Sequence, residues 1–221
     1  MKRRTKVALA GLAVAKAAAL VLVVRPWGLR WGATRAETQA ALPGDELVPG
    51  ADLVATRAIA VGAPPERVWP WIAQMGQGRA GLYSYDGFEN LLGCDMHSAD
   101  RVVTELQDVA VGDDFRLHPD VALTVAAVEP GRALVVRGGV LMGNTPPPFD
   151  FTWAFVLDDR GDGTTRLLVR ERYAYTRWWS RLLVEPVEGV SLVMSRKMLR
   201  GIRERAEATT VAEPAEQTST A

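Results

Sequence analysis

The run Phe149–Tyr175, FDFTWAFVLDDRGDGTTRLLVRERYAY, decides how the rest of the chain is read. Two apolar segments with a period near two flank Asp158–Gly163 (DDRGDG), a set of residues suited to a turn. The pattern predicts an antiparallel hairpin of Phe149–Leu157 with Thr164–Tyr175. Pairing Leu157 with Thr165 sets Phe155 opposite Leu167, Trp153 opposite Val169, Phe151 opposite Glu171 and Phe149 opposite Tyr173. One face then carries Phe149, Phe151, Trp153, Phe155, Leu157, Leu167, Val169 and Tyr173. The other face of the second strand carries Arg166, Arg170 and Arg172 and reads as solvated. Alternation leaves Glu171 on the apolar face, where an ionised carboxylate is costly unless paired.

Upstream, Leu53–Val61 reads as a strand. Pro64-Pro65-Glu66 opens a helix, since proline suits the first turn and an acid there suits the dipole. Val68, Trp69, Ile72 and Met75 form its apolar stripe, and Pro70 is expected to kink it. Tyr85–Leu92 reads as a second short helix. Further strands are expected at Asp114–His118, Ala122–Val128 and Ala133–Arg137. A long helix closes the unit, with Val187, Val190, Met194, Met198, Leu199, Ile202 and Ala206 at helical spacing. This order predicts an α+β domain: a curved antiparallel sheet packed on one long C-terminal helix, with a cavity between them.

The whole chain has 221 residues, with 26 basic and 26 acidic side chains, so no net field draws it to nucleic acid. One cysteine excludes a disulfide framework within the chain, and two histidines argue against a histidine-based metal cluster. No metal and no cofactor are expected. Residues 1–6 are MKRRTK, and Val7–Val24 is apolar apart from Lys16. As a helix that run spans about 27 Å, close to the ~30 Å hydrocarbon core. Three readings stay open: a single membrane anchor, a signal peptide cleaved near Ala13-Val14-Ala15, and a soluble Ala-rich helix. The anchor is the expectation carried forward, with Trp27 and Trp31 as an interfacial belt. That divides the chain into an anchor (1–31), a linker (32–50), the domain (51–207) and a disordered tail (208–221). It places the protein in the cell membrane as a single-pass chain with the domain outside the cytoplasm.

Three stretches together resemble one family: APPERVWPWIAQMG after the first strand, VEPGRALVV across a mid-chain hairpin, and FTWAFVLDDRGDGTTRLLVRERY before the last helix. They are similar to the START/Bet v 1-like, or SRPBCC, superfamily of polyketide cyclase/dehydrase and lipid transport proteins. The likeness covers about residues 51–207 and extends to GRAGLYSYDGFEN (Gly78–Asn90). It implies a helix-grip fold with a deep hydrophobic cavity for lipids, sterols, polyketides or other apolar molecules. It implies no shared catalytic set.

Glu171 is the sharpest candidate, either as acid/base or ligand anchor in an apolar cavity or as half of an internal salt bridge. Tyr83 and Asp86 are the other catalytic candidates, in a cluster with Tyr85, Glu89 and Asn90; alternatively Asp86 caps the helix and the tyrosines pack beneath it. Phe149, Phe151, Trp153, Glu171, Tyr173, Tyr85 and Met194 are the expected ligand contacts. Gly76–Gly81 (GQGRAG) fits G-x-G-x-x-G, but it follows a helix, so a connector is expected rather than a dinucleotide cradle. His97, Asp100, His118 and Asp120 lack ligand spacing, and Cys94 has no visible activator. Leu141–Pro148 is a candidate cavity edge, and Trp178-Trp179 a candidate membrane contact. The expected function is binding or transport of a small hydrophobic or lipid-like ligand. The alternatives are a cyclase or hydrolase using Glu171, and a membrane-tethered interaction module with a filled core.

Overall fold

The computed structural model describes residues 24–138 and 147–208. The proposed anchor up to residue 23, most of the Leu141–Pro148 loop and the tail beyond Ala208 lie outside the described residues. Two short helices, α1 (Arg25–Leu29) and α2 (Arg35–Gln39), precede strand β1 (Leu53–Val61). Helices α3 (Pro65–Ala73) and α4 (Asp86–Leu91) follow. Then come β2 (Asp114–His118), β3 (Val121–Glu129), β4 (Ala133–Gly138), β5 (Phe149–Asp159), β6 (Thr165–Tyr175) and helix α5 (Ser180–Ala208). The six strands form one antiparallel sheet in the order β1-β6-β5-β4-β3-β2. Register shifts at Arg116/His118 and Val125/Ala127 mark bulges, which bend strands. The curved sheet grips α5 on its concave face, the helix-grip arrangement expected from the sequence. Among the described residues no helix is long and apolar enough to cross a membrane.

The β5–β6 hairpin keeps the predicted faces but not the predicted register. Leu157 pairs with Leu167, Phe155 with Val169, Trp153 with Glu171 and Phe151 with Tyr173. Each partner is two residues from the expected one, so the parity survives. The difference comes from the turn. Asp158 and Asp159 continue β5, and the loop closes over five residues, with Arg160 N donating to Thr164 O at 3.1 Å. Gly161 (φ 73°) and Gly163 (φ 84°) supply the left-handed positions such a tight loop needs. Asp162 Oδ1 accepts from both the amide and the hydroxyl of Thr164.

The concave core joins Phe155, Leu167 and Val169 of the hairpin to Met198, Leu199 and Ile202 of α5. Full burial of such side chains contributes about 1.5–3 kcal/mol each. Gly201 lets α5 approach closely, because a Cβ there would lie 2.4 Å from Tyr83 O. The first half of α5 departs from expectation. Val187 and Val190 face outward and are about half exposed. The inward residues are Val184, Glu188, Ser191 and Ser195, which follow the same i, i+3, i+4 geometry one step round the helix.

Over β6 the convex face is covered rather than solvated, and residues 32–50 pack on it instead of forming a free linker. Arg170 is only 2% exposed. Its guanidinium donates to Glu37 O (2.8 Å), Thr38 O (3.3 Å) and Ala40 O (2.8 Å), and pairs with Asp45 at 2.6 Å. Arg172 binds Val48 O and Asp45, and Arg166 binds Gly32 O and Glu37. The Arg166 guanidinium holds the Glu37 carboxyl down at about 2. Thr34 and Glu37 close a capping box on α2. Beneath this strap Val135, Val156 and Leu168 form a second apolar cluster with Leu42 and Leu47. Trp27 and Trp31 pack on the domain as well: the Arg196 guanidinium lies 4.9 Å from the Trp31 ring centre and 5.9 Å from that of Trp27. Residues 25–50 therefore pack as part of the domain expected over 51–207.

Candidate functional site

Alternation along β1 places Leu53, Ala55, Arg57, Ile59 and Val61 on the concave face, so a single guanidinium points into the core. Glu171 arrives on the same face from the neighbouring strand, paired with Ala55. Arg57 Nη1 donates to Glu171 Oε1 at 2.8 Å, and Arg57 Nη2 donates to Glu188 Oε1 of α5 at 2.7 Å. Arg57 Nε donates to Gly28 O at 3.2 Å. The Glu171 carboxylate also accepts from Ser191 Oγ (2.8 Å), Ser195 Oγ (3.2 Å) and the Tyr173 hydroxyl (3.4 Å). All three ionic groups are buried. Burial pushes the Glu188 carboxyl up against the pull of Arg57, and burial beside Glu171 pushes the Tyr173 phenol well up. Such a cluster holds only while every partner is present.

Beside it lies a cavity of about 250 Å³ between the sheet, α5 and α4. Its wall is aromatic on the sheet side (Phe151, Trp153, Tyr173) and thioether on the helix side (Met194, Met198). Glu171, Ser191 and Ser195 form its floor toward Arg57. Glu89 of α4 reaches the cavity from the other side. It is 6% exposed, and among the described residues its Oε2 has no hydrogen-bond partner. The buried Trp153 Nε1 has none either. Burial, helped by the nearby charge of Asp86, pushes the Glu89 carboxyl up to about 7.

A stability consequence follows. The fold favours the neutral form of Glu89, so this group takes stability away as pH rises from its ordinary 4.5 through about 7. Glu89→Gln removes the penalty. The variant is expected to exceed the parent by on the order of 3 kcal/mol at about pH 8 and to match it at about pH 4. Urea unfolding at both pH values checks this. An equal difference at the two would show that Glu89 titrates normally.

Of the expected ligand contacts, Phe151, Trp153, Glu171, Tyr173 and Met194 meet at the cavity. Phe149 and Tyr85 do not. Phe149 packs with Leu53 and Val184 under the first turns of α5, and Tyr85 is half exposed. Tyr83 is buried in the core away from the cavity. Its hydroxyl accepts from Gln74 Nε2 at 2.9 Å, burial pushes its phenol up, and the Arg205 guanidinium sits 4.8 Å from its ring centre. Asp86 makes no cap on α4; it accepts from the amide and the hydroxyl of Ser98, both at 2.7 Å. Asn90 clasps Met96 through both ends of its amide.

The other candidates have local roles. Gly76 and Gly81 exchange amide bonds at 3.0 Å, closing GQGRAG into a turn that opens no helix. His97 pairs with Asp95 in solvent, and His118 with Asp120. Among the described residues no group of three or more His, Cys, Asp or Glu is placed to hold a metal. Cys94 lines the cavity, but burial and Glu89 push its thiol up, away from the reactive thiolate. Trp178 is 88% exposed.

Arg57, Glu188, Ser191 and Ser195 belong to the site without having been expected there, and Glu89 was expected only as a member of the cluster around Tyr83 and Asp86. Arg57 had a signal, since the parity that turns Glu171 inward turns Arg57 inward too. Nothing in the pattern marked Glu89 as turned inward. In α4, DGFENL, the apolar Phe88 and Leu91 face solvent while the glutamate faces in.

No protein-family model and no curated protein matches the chain. Solved structures give loose likenesses. An aromatase/cyclase from a Streptomyces species is 13% identical, covering 70% of this chain and 93% of that one, with a TM-score of 0.41. Norcoclaurine synthase from Thalictrum flavum is 14% identical, covering 69% and 84%, with a TM-score of 0.42. A hypothetical protein from Helicobacter pylori is 14% identical, covering 76% and 96%, with a TM-score of 0.47.

Proposed function

We propose that this chain binds a small, mostly apolar molecule in the cavity between the sheet and α5. The observation that carries the reading is the cavity itself: aromatic and thioether walls around about 250 Å³, with two unpartnered polar atoms, Glu89 Oε2 and Trp153 Nε1. Apolar walls supply affinity and a few polar groups set orientation. A cavity of about 150 Å³ holds one benzene ring, so this one suits about two fused rings with a short substituent. That is smaller than a sterol or a two-chain lipid. The binding reading is favoured over the catalytic one by where the acid/base candidates sit. Tyr83 and Asp86 are bonded elsewhere, and the Glu171 carboxylate already accepts from Arg57, Ser191, Ser195 and Tyr173. A filled core is disfavoured by the space itself. The apolar run at 7–24 supports placing this binding at a membrane.

The test titrates 2-naphthylmethanol into the purified full-length chain by calorimetry, beside Met194→Trp, which puts an indole into the cavity. One-to-one binding that weakens at least about tenfold in Met194→Trp is expected, since the added ring and the ligand compete for one volume. No binding to the parent chain, or equal binding to both, would remove the reading.

A further inference from the structure

We propose that the cavity selects a ring compound bearing a protonated amine, with the Glu89 carboxylate as its counter-ion. This rests on the binding reading above and adds the charge of the ligand. The first observation is the balance of buried charge. Glu89 and Glu171 line the cavity and Glu188 lies behind its floor, against one buried guanidinium there, Arg57. Arg57 does not line the cavity. Its two Nη groups go to Glu171 and Glu188, and its Nε to Gly28 O. No Lys, Arg or His is among the lining residues. An anionic ligand would meet excess negative charge with no cation to answer it.

The second observation is Glu89 itself. Its Oε2 is buried at the cavity and unpartnered, whereas every other ionic group of the cluster has partners. A buried carboxylate needs a counter-charge or a donor, and the described residues provide neither at this oxygen. An ammonium group supplies both, with its proton staying on nitrogen. The third observation is the wall. Phe151, Trp153 and Tyr173 line it, and aromatic rings attract cations through the quadrupole of their faces. Unpaired carboxylate, aromatic wall and missing cation together describe an amine site. Asp86, on the same helix and fixed by Ser98, adds negative charge near Glu89.

The experiment uses three probes that share one ring: 2-naphthylmethylamine, 2-naphthylmethanol and 2-naphthoate. Each is titrated into the full-length chain at about pH 8. The amine is expected to bind about tenfold or more tighter than the alcohol, with the carboxylate weakest. In Glu89→Gln the amine is expected to fall to within about threefold of the alcohol measured in the same variant. Glu89→Leu gives the same collapse by a second route. An amine preference that survives both substitutions would overturn the assignment to Glu89. A carboxylate that binds as well as the amine would overturn the proposal outright. If none of the three binds, the cavity-binding reading fails and this one with it. If the alcohol alone binds well, only the amine selection fails.

Discussion

Arg57→Leu is expected to leave the chain largely unfolded at neutral pH. Arg57 is 1% exposed and is the cation for two buried carboxylates, Glu171 and Glu188. Leucine fills part of the space but answers neither charge. Removing one partner of a buried ion pair costs about 3–5 kcal/mol, and here two anions are stranded beside each other. Domains of this size have about 5–15 kcal/mol in total. The variant should therefore show little cooperative urea unfolding at pH 7. It should recover at about pH 4, where carboxyls can protonate and the burial penalty disappears. Arg57→Met combined with Glu171→Leu and Glu188→Leu should regain much of the loss, since apolar groups of similar volume often replace a buried triad without cost. An Arg57→Leu midpoint equal to the parent's would mean that water reaches the cluster.

A chain that begins at residue 51 is expected to lose cooperative folding, while one that begins at residue 25 keeps it. The strap from Arg25 to Val48 covers Val135, Val156 and Leu168 on the convex face. Exposing three such side chains costs about 4–9 kcal/mol. Arg170 would lose three backbone acceptors and Asp45 together. That loss alone rivals the stability of the domain. Near-ultraviolet circular dichroism and urea titration of the two truncations measure the difference. Equal midpoints would show that the strap merely lies on the sheet.

The hairpin Phe149–Tyr175 was legible because alternation reports which face a side chain takes, and parity does not depend on the turn. Register was not, because two more aspartates extend β5 and only loop geometry decides that. The strap was illegible for a different reason. Arg170 and Arg172 bind mostly backbone carbonyls, which every residue has, so residues 32–50 carry little complementary pattern beyond Glu37 and Asp45. Arginine on an outward face ordinarily means solvent, and tertiary contact overrode that rule. In the site, Glu171 was visible as a charge on the wrong face, and Arg57 could have been found by the same parity. Phe151, Trp153 and Tyr173 were legible as an aromatic wall. Glu89 was legible as part of the cluster on α4, but its inward turn was set by how α4 rolls against the cavity, which six residues are too few to announce.

The sheet order leaves β1 at one edge, with Leu53–Val61 mostly apolar and its one charge turned inward. Such an edge can accept a strand from another copy and template growth of an open-ended assembly. The strap forbids it. Ala58 N donates to Trp31 O at 3.1 Å, taking the amide that a foreign strand would need. Gly32 sits so close that a Cβ would lie 2.1 Å from Ala58 O, and its φ of 73° suits glycine alone. A substitution at Gly32 would lift this cover without touching the cavity and open the β1 edge to strand exchange.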